Sequence, residues 1–215
     1  MTAVQSADRQ GLDEPWLAWQ ERHRAMRLLF DQLGWHDLSS RRLLEVGCDG
    51  GDNLLDFLRM GFSPRALAGV EAAADRFAHA MQRLPSGITL MQGDASLMKL
   101  PDASEDIVFQ SGVFSTLLDA PFQWRLAQVM WRWVMPGGGL LWYDLTASAG
   151  APTRRAVPVA RVRELFPEGR FTVRRLTLSD GLARRVSPGH PLLYAWLGAL
   201  PPLRTHALIW IEKPA

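Results

Sequence analysis

Cysteine is almost absent from this chain of 215 residues, where Cys48 stands alone. A lone thiol excludes an intrachain disulfide and a cysteine-rich zinc site, and it makes a reducing cytoplasm the expected compartment. The five histidines (His23, His36, His79, His190 and His206) show no HxxxH or similar ligand spacing, so no metal site is expected. No stretch approaches the 18 uninterrupted apolar residues of a transmembrane helix. Residues 1–14 are polar and acidic, without the charged-then-apolar layout of a signal peptide. Lysine is scarce as well: of 24 basic residues only Lys99 and Lys213 are lysines. The rest are arginines, whose planar guanidinium suits paired contacts to carboxylate or phosphate.

What is present describes an ordinary globular protein. The chain is 47% hydrophobic and 21% charged, enough to bury a sizeable core. Its length suits one α/β domain with some extra structure better than two full domains. The net charge of +2 hides a division. Residues 1–150 carry 13 Lys and Arg against 18 Asp and Glu, a balance of −5. Residues 151–215 carry 11 against 4, a balance of +7. A basic segment is therefore attached to an acidic body.

Residues 1–13 read as a flexible N-terminus and 14–215 as a single domain. Between Glu14 and Leu33, Trp16, Trp19, His23, Met26, Leu29, Phe30 and Leu33 recur at spacings of three and four, the pattern of a helix. Strands are expected at 42–46, 66–71, 88–92, 106–110 and 140–144. Helices are expected at 52–60, 74–83 and 121–134, with Pro136–Gly139 as a turn. Strands thus alternate with helices through residue 145, the signature of a doubly wound, mostly parallel sheet. Beyond it come a helix at 159–166, a sixth strand at 171–178, an apolar helix at 191–200 and a last strand at 206–213. No crossover helix fits directly before that last strand, so it is expected to run antiparallel. The fold class is α/β, Rossmann-like, with helices on both faces.

Chemistry concentrates at the carboxyl ends of the expected strands, where open α/β sheets bind ligands. Leu43-Leu44-Glu45-Val46-Gly47-Cys48-Asp49-Gly50-Gly51 is a buried strand opening into a glycine-rich turn before a helix. Glycine there lets the backbone approach a ligand closely. Glu71 closes the second strand and can accept two hydrogen bonds from a ribose diol. Gly93-Asp94-Ala95 follows the third strand, where Asp94 can accept from an exocyclic amine. Each has a plainer alternative: a ligand-free turn, a helix cap for Glu71, a turn residue for Asp94. A nicotinamide fingerprint GxGxxG is not met, because positions 47–52 read GCDGGD.

Over about residues 40–145 the chain resembles the class I S-adenosylmethionine-dependent methyltransferases. Glu45–Gly51 is similar to their ExGxGxG loop, Glu71 to the ribose acid, Gly93-Asp94-Ala95 to the adenine-side motif, and Met135-Pro136-Gly137-Gly138 to their KPGG turn. The run GVEAAADRFAHA also resembles enzymes of bacterial polysaccharide and small-molecule clusters. Asp49 stands where the family usually has a glycine, Ala72 and Ala73 replace bulkier apolar residues, and Met135 replaces a common lysine. The resemblance implies S-adenosylmethionine as cofactor, held by Glu45, Gly47, Cys48, Asp49, Gly51, Glu71, Ala72, Asp94, Ala95 and Gln110. It implies a cofactor-binding core at 40–145, an N-terminal lid helix at 14–38 and an acceptor-side segment at 150–205.

The acceptor is expected to be a small molecule or saccharide, with oxygen favoured over nitrogen. Asp144 and His190 are the candidate bases. Ser111, Phe114, Tyr143 and His23 are the candidate acceptor-side residues. Strand alternation puts Trp142 and Asp144 on one face and Tyr143 on the other. The arginine-rich segment suits an anionic acceptor or contact with an anionic membrane surface, and a solvated charged surface is the plain alternative. Nucleic acid is disfavoured, since QSGVF replaces the NPPY-type motif after the fourth strand. A monomer or homodimer is expected. A non-catalytic cofactor-binding or scaffold subunit is the rival reading.

Overall fold

The computed structural model describes residues 16–147, 154–178, 193, 196, 197, 200 and 203–215. Among the described residues, five α-helices and seven strands follow one another in chain order. They are α1 (Trp16–Gln32), β1 (Leu43–Val46), α2 (Asp52–Met60), β2 (Leu67–Glu71), α3 (Ala74–Arg83), β3 (Thr89–Gln92) and β4 (Glu105–Ser111). The series continues with α4 (Ala120–Trp133), β5 (Val134–Leu145), α5 (Val159–Leu165), β6 (Arg170–Leu178) and β7 (Arg204–Glu212). The strands form one sheet in the order β3-β2-β1-β4-β5-β7-β6. β1 to β5 pair in parallel, while β7 is antiparallel to both β5 and β6. The expected fold class and the antiparallel last strand are therefore both found.

Local chemistry explains the helix ends. α2 begins at Gly51 and stops at Gly61, both in the left-handed region with φ of 88° and 110°. Only glycine adopts that conformation freely, and Gly61 closes the helix by donating to the carbonyls of Phe57 and Leu58. Asp52 in the first turn and Arg59 in the last complement the helix dipole.

Two apolar layers sandwich the sheet. Leu29 and Phe30 of α1, Leu54 and Phe57 of α2 and Ala80 of α3 pack against Leu43, Ile107, Phe109, Leu141 and Trp210. On the other face Leu126, Met130 and Trp133 of α4 and Val162 and Leu165 of α5 meet Leu44, Val108, Leu140, Trp142 and Ile209. Central strands buried on both faces read as continuous apolar runs, which is why Leu43-Leu44 and Ile107-Val108 show no alternation.

Two expectations are corrected. The buried stripe of α1 is Ala18, Arg22, Ala25, Met26, Leu29 and Phe30. Trp16 lies outside it at 62% exposure, so the inner face is turned by about one residue and carries an arginine. Residues 136–139 are not a turn between elements but belong to β5. The register runs Glu105 to Val134 and then Ile107 to Gly139, so five positions of β5 oppose two of β4. This bulge lets the strand begin early, and Gly138 and Gly137 exchange backbone hydrogen bonds with Lys213 there. At Gly139 a Cβ would be driven into the Trp210 ring, so the sheet needs glycine at that crossing.

The register also locates the β6–β7 connection. Leu145 pairs with His206, and Leu178 pairs with Arg204. The chain between β6 and β7 therefore leaves and rejoins the sheet at the edge where the parallel strands end.

Candidate functional site

The glycine loop is built tightly. Gly47 (φ 70°) turns the chain out of β1, and its amide and that of Cys48 both donate to the Val70 carbonyl at 2.8 and 3.1 Å. A Cβ on Gly47 would meet the Val113 side chain at 2.8 Å. Asp49 is left-handed at φ 49°, a conformation that aspartate tolerates better than most side chains. Cys48 is buried beneath Gly69. Burial pushes its thiol pKa well up, and the charges of Glu45, Glu71 and Asp49 add to the rise. It stays protonated and serves as a packing group rather than a nucleophile.

The carboxylates around the loop are held by specific donors. Glu71 is buried, and its two oxygens accept from the amides of Asp49 and Ala73, each at 2.9 Å. Asp94 accepts from the Ser96 amide at 2.8 Å, opening the short 3-10 turn Ala95–Leu97. Glu45 is fully buried and accepts from Asn53 Nδ2 at 2.7 Å. Asn53 Oδ1 in turn accepts from Arg22 of α1 at 2.7 Å. The Arg22 guanidinium lies 5.2 Å from the Tyr143 ring centroid, and the Tyr143 hydroxyl is 2.8 Å from Thr177 Oγ1. A polar chain thus runs from β1 through α2 and α1 to β5 and β6.

In front of the glycine loop lies a cavity of about 360 Å³. Its floor is the carboxyl ends of β1, β2 and β3: Val46, Gly47, Val70, Glu71, Ala72, Asp94 and Ala95. Val113, Thr116, Leu117 and Phe122 form the opposite wall, and Asp75 and Arg76 of α3 stand at one side. Two apolar walls suit a flat ring, and the carboxylates suit hydroxyl and amine donors. The size and donor set fit a nucleoside.

Residues 43–138 match the family model described as a methyltransferase domain. That match makes the chain similar to methyltransferases over those residues. Solved structures share the fold at low identity. An S-adenosylmethionine-dependent methyltransferase from Mesorhizobium loti is 16% identical, with a TM-score of 0.64 over 92% of this chain and 98% of that one. Haemonchus contortus phosphoethanolamine N-methyltransferase 2, solved with S-adenosyl-L-methionine, is 16% identical. Its TM-score is 0.65 over 89% of this chain and 52% of that one. The glycopeptide N-methyltransferase MtfA, solved with sinefungin, is 18% identical, with a TM-score of 0.61 over 90% and 94%. No curated protein matches in sequence.

The fold brings some expected site residues to the cavity and leaves others behind it. Gly47, Glu71, Ala72, Asp94 and Ala95 line it. Glu45, Cys48, Asp49, Gly51 and Gln110 are not among its lining and form the frame. Gln110, fully buried, accepts from the Val113 amide at 2.9 Å and so sets the far wall. Phe114 is a core residue, fully buried with its ring centroid 4.3 Å from that of Trp142. Ser111 ends β4 at intermediate exposure. Asp144 is buried, with Oδ2 accepting from the Ser115 amide at 3.1 Å and Oδ1 from its neighbour Leu145. Tyr143 packs on the opposite face beneath α1, as strand alternation requires. His23 contacts Asp56 of α2 at 3.2 Å and the Trp19 carbonyl at 3.1 Å. His190 lies outside the described residues.

Arg76, Asn53 and Arg22 went unnoticed in sequence. The signal for Arg22 was there, since an arginine between Ala18 and Ala25 interrupts a small apolar stripe. Asn53 and Arg76 are ordinary helix-surface residues until the fold turns them toward the loop. Among the described residues no helix is long and apolar enough to cross a membrane, and no cluster suits a metal ion.

Proposed function

We propose that this methyltransferase moves a methyl group to a small-molecule or saccharide acceptor, anionic in character, with oxygen favoured as the nucleophile. The cofactor reading is carried by Glu71, a buried carboxylate braced by two amides at the wall of a nucleoside-sized cavity. Lone pairs of that carboxylate not used by the amides would take the ribose hydroxyls. Asp94 would take the adenine amine, and Ala72 and Phe122 would flank the base. Glu45, steadied by Asn53 and Arg22, would organise the methionine end beside Gly47. Cys48, Asp49, Gly51 and Gln110 would keep the loop and the far wall in shape.

S-adenosylmethionine supplies a methyl carbon already activated by its sulfonium. The chain must then align the nucleophile about 3–3.5 Å from that carbon and exclude water. An oxygen nucleophile also gains from a general base. Asp144 already accepts two backbone amides, which favours a positioning role for it, while His190 stays a candidate base. Ser111, Tyr143 and His23 are proposed to border the acceptor, with α1 covering it. The anionic acceptor is supported by the charge of +7 over residues 151–215, of which Arg184 and Arg185 belong to the β6–β7 segment that departs from the same sheet edge. Residues 14–215 act as one domain, as monomer or homodimer, in the cytoplasm. Nucleic acid is not proposed as a partner, and contact with an anionic membrane surface is compatible with the arginines.

Calorimetry with S-adenosylhomocysteine, followed by labelled methyl transfer to a panel of sugar nucleotides, hydroxylated small molecules and amines, tests this reading. Micromolar binding and transfer to an anionic hydroxyl acceptor are expected. No binding at millimolar ligand would refute the cofactor site, and transfer to amines alone would refute the oxygen preference.

A further inference from the structure

Asp49 departs from the glycine that the resemblance predicts, and it sits among acids. Glu45, Glu71 and Asp49 all act on the buried Cys48 thiol, so the three negative charges converge on one small volume. The Asp49 amide is one of the two donors that brace Glu71, at 2.9 Å. Any shift of Asp49 therefore moves the carboxylate at the cavity wall.

Basic side chains of α3 hold this loop from outside. Arg76 Nε stands 3.7 Å from Asp49 Oδ1 with its side chain only 19% exposed. About two turns of α3 later, Arg83 donates to the Gly50 carbonyl at 3.2 Å and to Asp52 at 2.6 Å. Arg76 is also the only basic residue among those that line the cavity, where Glu71, Asp75 and Asp94 are the acids.

We infer that Arg76 is a positioning residue for cofactor binding, acting through Asp49: it draws the Asp49 carboxylate away from Glu71 and so holds the Asp49 amide on it. The pair lets an aspartate occupy a left-handed position beside two other acids. Without Arg76, the Asp49 carboxylate loses its counter-charge, and repulsion from Glu71 loosens the amide brace. With glycine at position 49 no such charge exists, and the left-handed conformation is unstrained.

This inference rests on the cofactor reading above, and a double-mutant cycle on the full chain separates the two. Affinity for S-adenosylhomocysteine is measured by calorimetry for the wild type, Arg76→Ala, Asp49→Gly, the double variant and Arg76→Lys, with thermal melts alongside. Arg76→Ala is expected to weaken binding about three- to fivefold in the wild-type background and less than about 1.5-fold in the Asp49→Gly background. Arg76→Lys should recover most of the loss, and the loss should shrink as salt is raised. Equal losses in both backgrounds would overturn the inference, because Arg76 would then act independently of Asp49. An unchanged affinity in Arg76→Ala would overturn it as well. Failure of the wild type to bind would instead refute the cofactor reading, with no bearing on whether the two residues are coupled.

Discussion

Replacing Glu71 by glutamine separates two roles carried by one carboxylate. The side chain is 6% exposed, and each oxygen accepts one loop amide at 2.9 Å. Glutamine keeps the shape but offers a single acceptor, so one amide comes to face an NH2 group. A hydrogen bond to a charged group contributes about 1.5–3 kcal/mol, and an orphaned donor adds to its loss. A destabilisation of about 2–3 kcal/mol is expected, which for a chain of this size lowers Tm by roughly 4–12 °C. The loss of ribose contacts is a separate quantity. If the hydroxyls of the cofactor use the same carboxylate, S-adenosylhomocysteine affinity falls by about 1.5–3 kcal/mol, roughly 10- to 150-fold. Differential scanning fluorimetry reads the first effect and calorimetry the second. A lowered Tm with affinity within about threefold of wild type would show that Glu71 braces the loop without holding the ribose. An unchanged Tm would refute the brace itself.

Three further outcomes follow from other parts of the fold. Gly139→Ala forces a methyl into the Trp210 ring and should destabilise by about 1–3 kcal/mol, with partial recovery when Trp210→Phe is added; a melt equal to wild type would contradict the crossing geometry. Cys48 should resist thiol reagents in the native protein at about pH 8 and react once the chain is unfolded, because burial holds its thiol protonated; prompt native labelling would contradict that. Burial pushes the Asp56 carboxyl up, but hydrogen bonds from His23, Trp19 and Arg59 outweigh it and leave its pKa below the ordinary 3.8. A depressed folded pKa gives stability that is present above the unfolded value and lost as pH falls through the folded one. The gap in urea midpoint between wild type and Asp56→Asn should thus be full at about pH 6 and close below 3.8, and a gap that ignores pH would refute the assignment.

Elements with strong local signals were readable before folding. The ends of α2 and α3 fall at the expected residues, and for α2 glycines in left-handed conformations mark both boundaries. The parallel core was legible because Leu43-Leu44 and Ile107–Phe109 are continuous apolar runs. The error in β5 has a physical source. Pro136-Gly137-Gly138-Gly139 carries turn chemistry, yet its pairing with Lys213 at the far end of the chain keeps it in the sheet. α1 misled because Trp16 and His23 fall at apolar spacing, while its buried stripe opens with Ala18 and Arg22. The floor of the cavity was legible from Gly47, Glu71 and Asp94. Its far wall was not. Val113, Thr116 and Leu117 are placed by Gln110 and Asp144, whose side chains catch amides of the β4–α4 connection. Nothing local in that connection announces the contact.

The antiparallel β7 has a consequence for how such an enzyme can change. Because Leu178 pairs with Arg204 on the neighbouring strand, the connection between β6 and β7 has its two ends already fastened side by side. Loop-closure cost rises only with the logarithm of length, about 0.6 kcal/mol per doubling. Insertions and deletions in that stretch therefore cost little and displace no strand. The cofactor loops leave the same edge from β1, β2 and β3, at the other end of the sheet. On the reading proposed above, one uninterrupted stretch of the gene could thus be rewritten for a new acceptor while the loops proposed to bind the methyl donor are inherited intact.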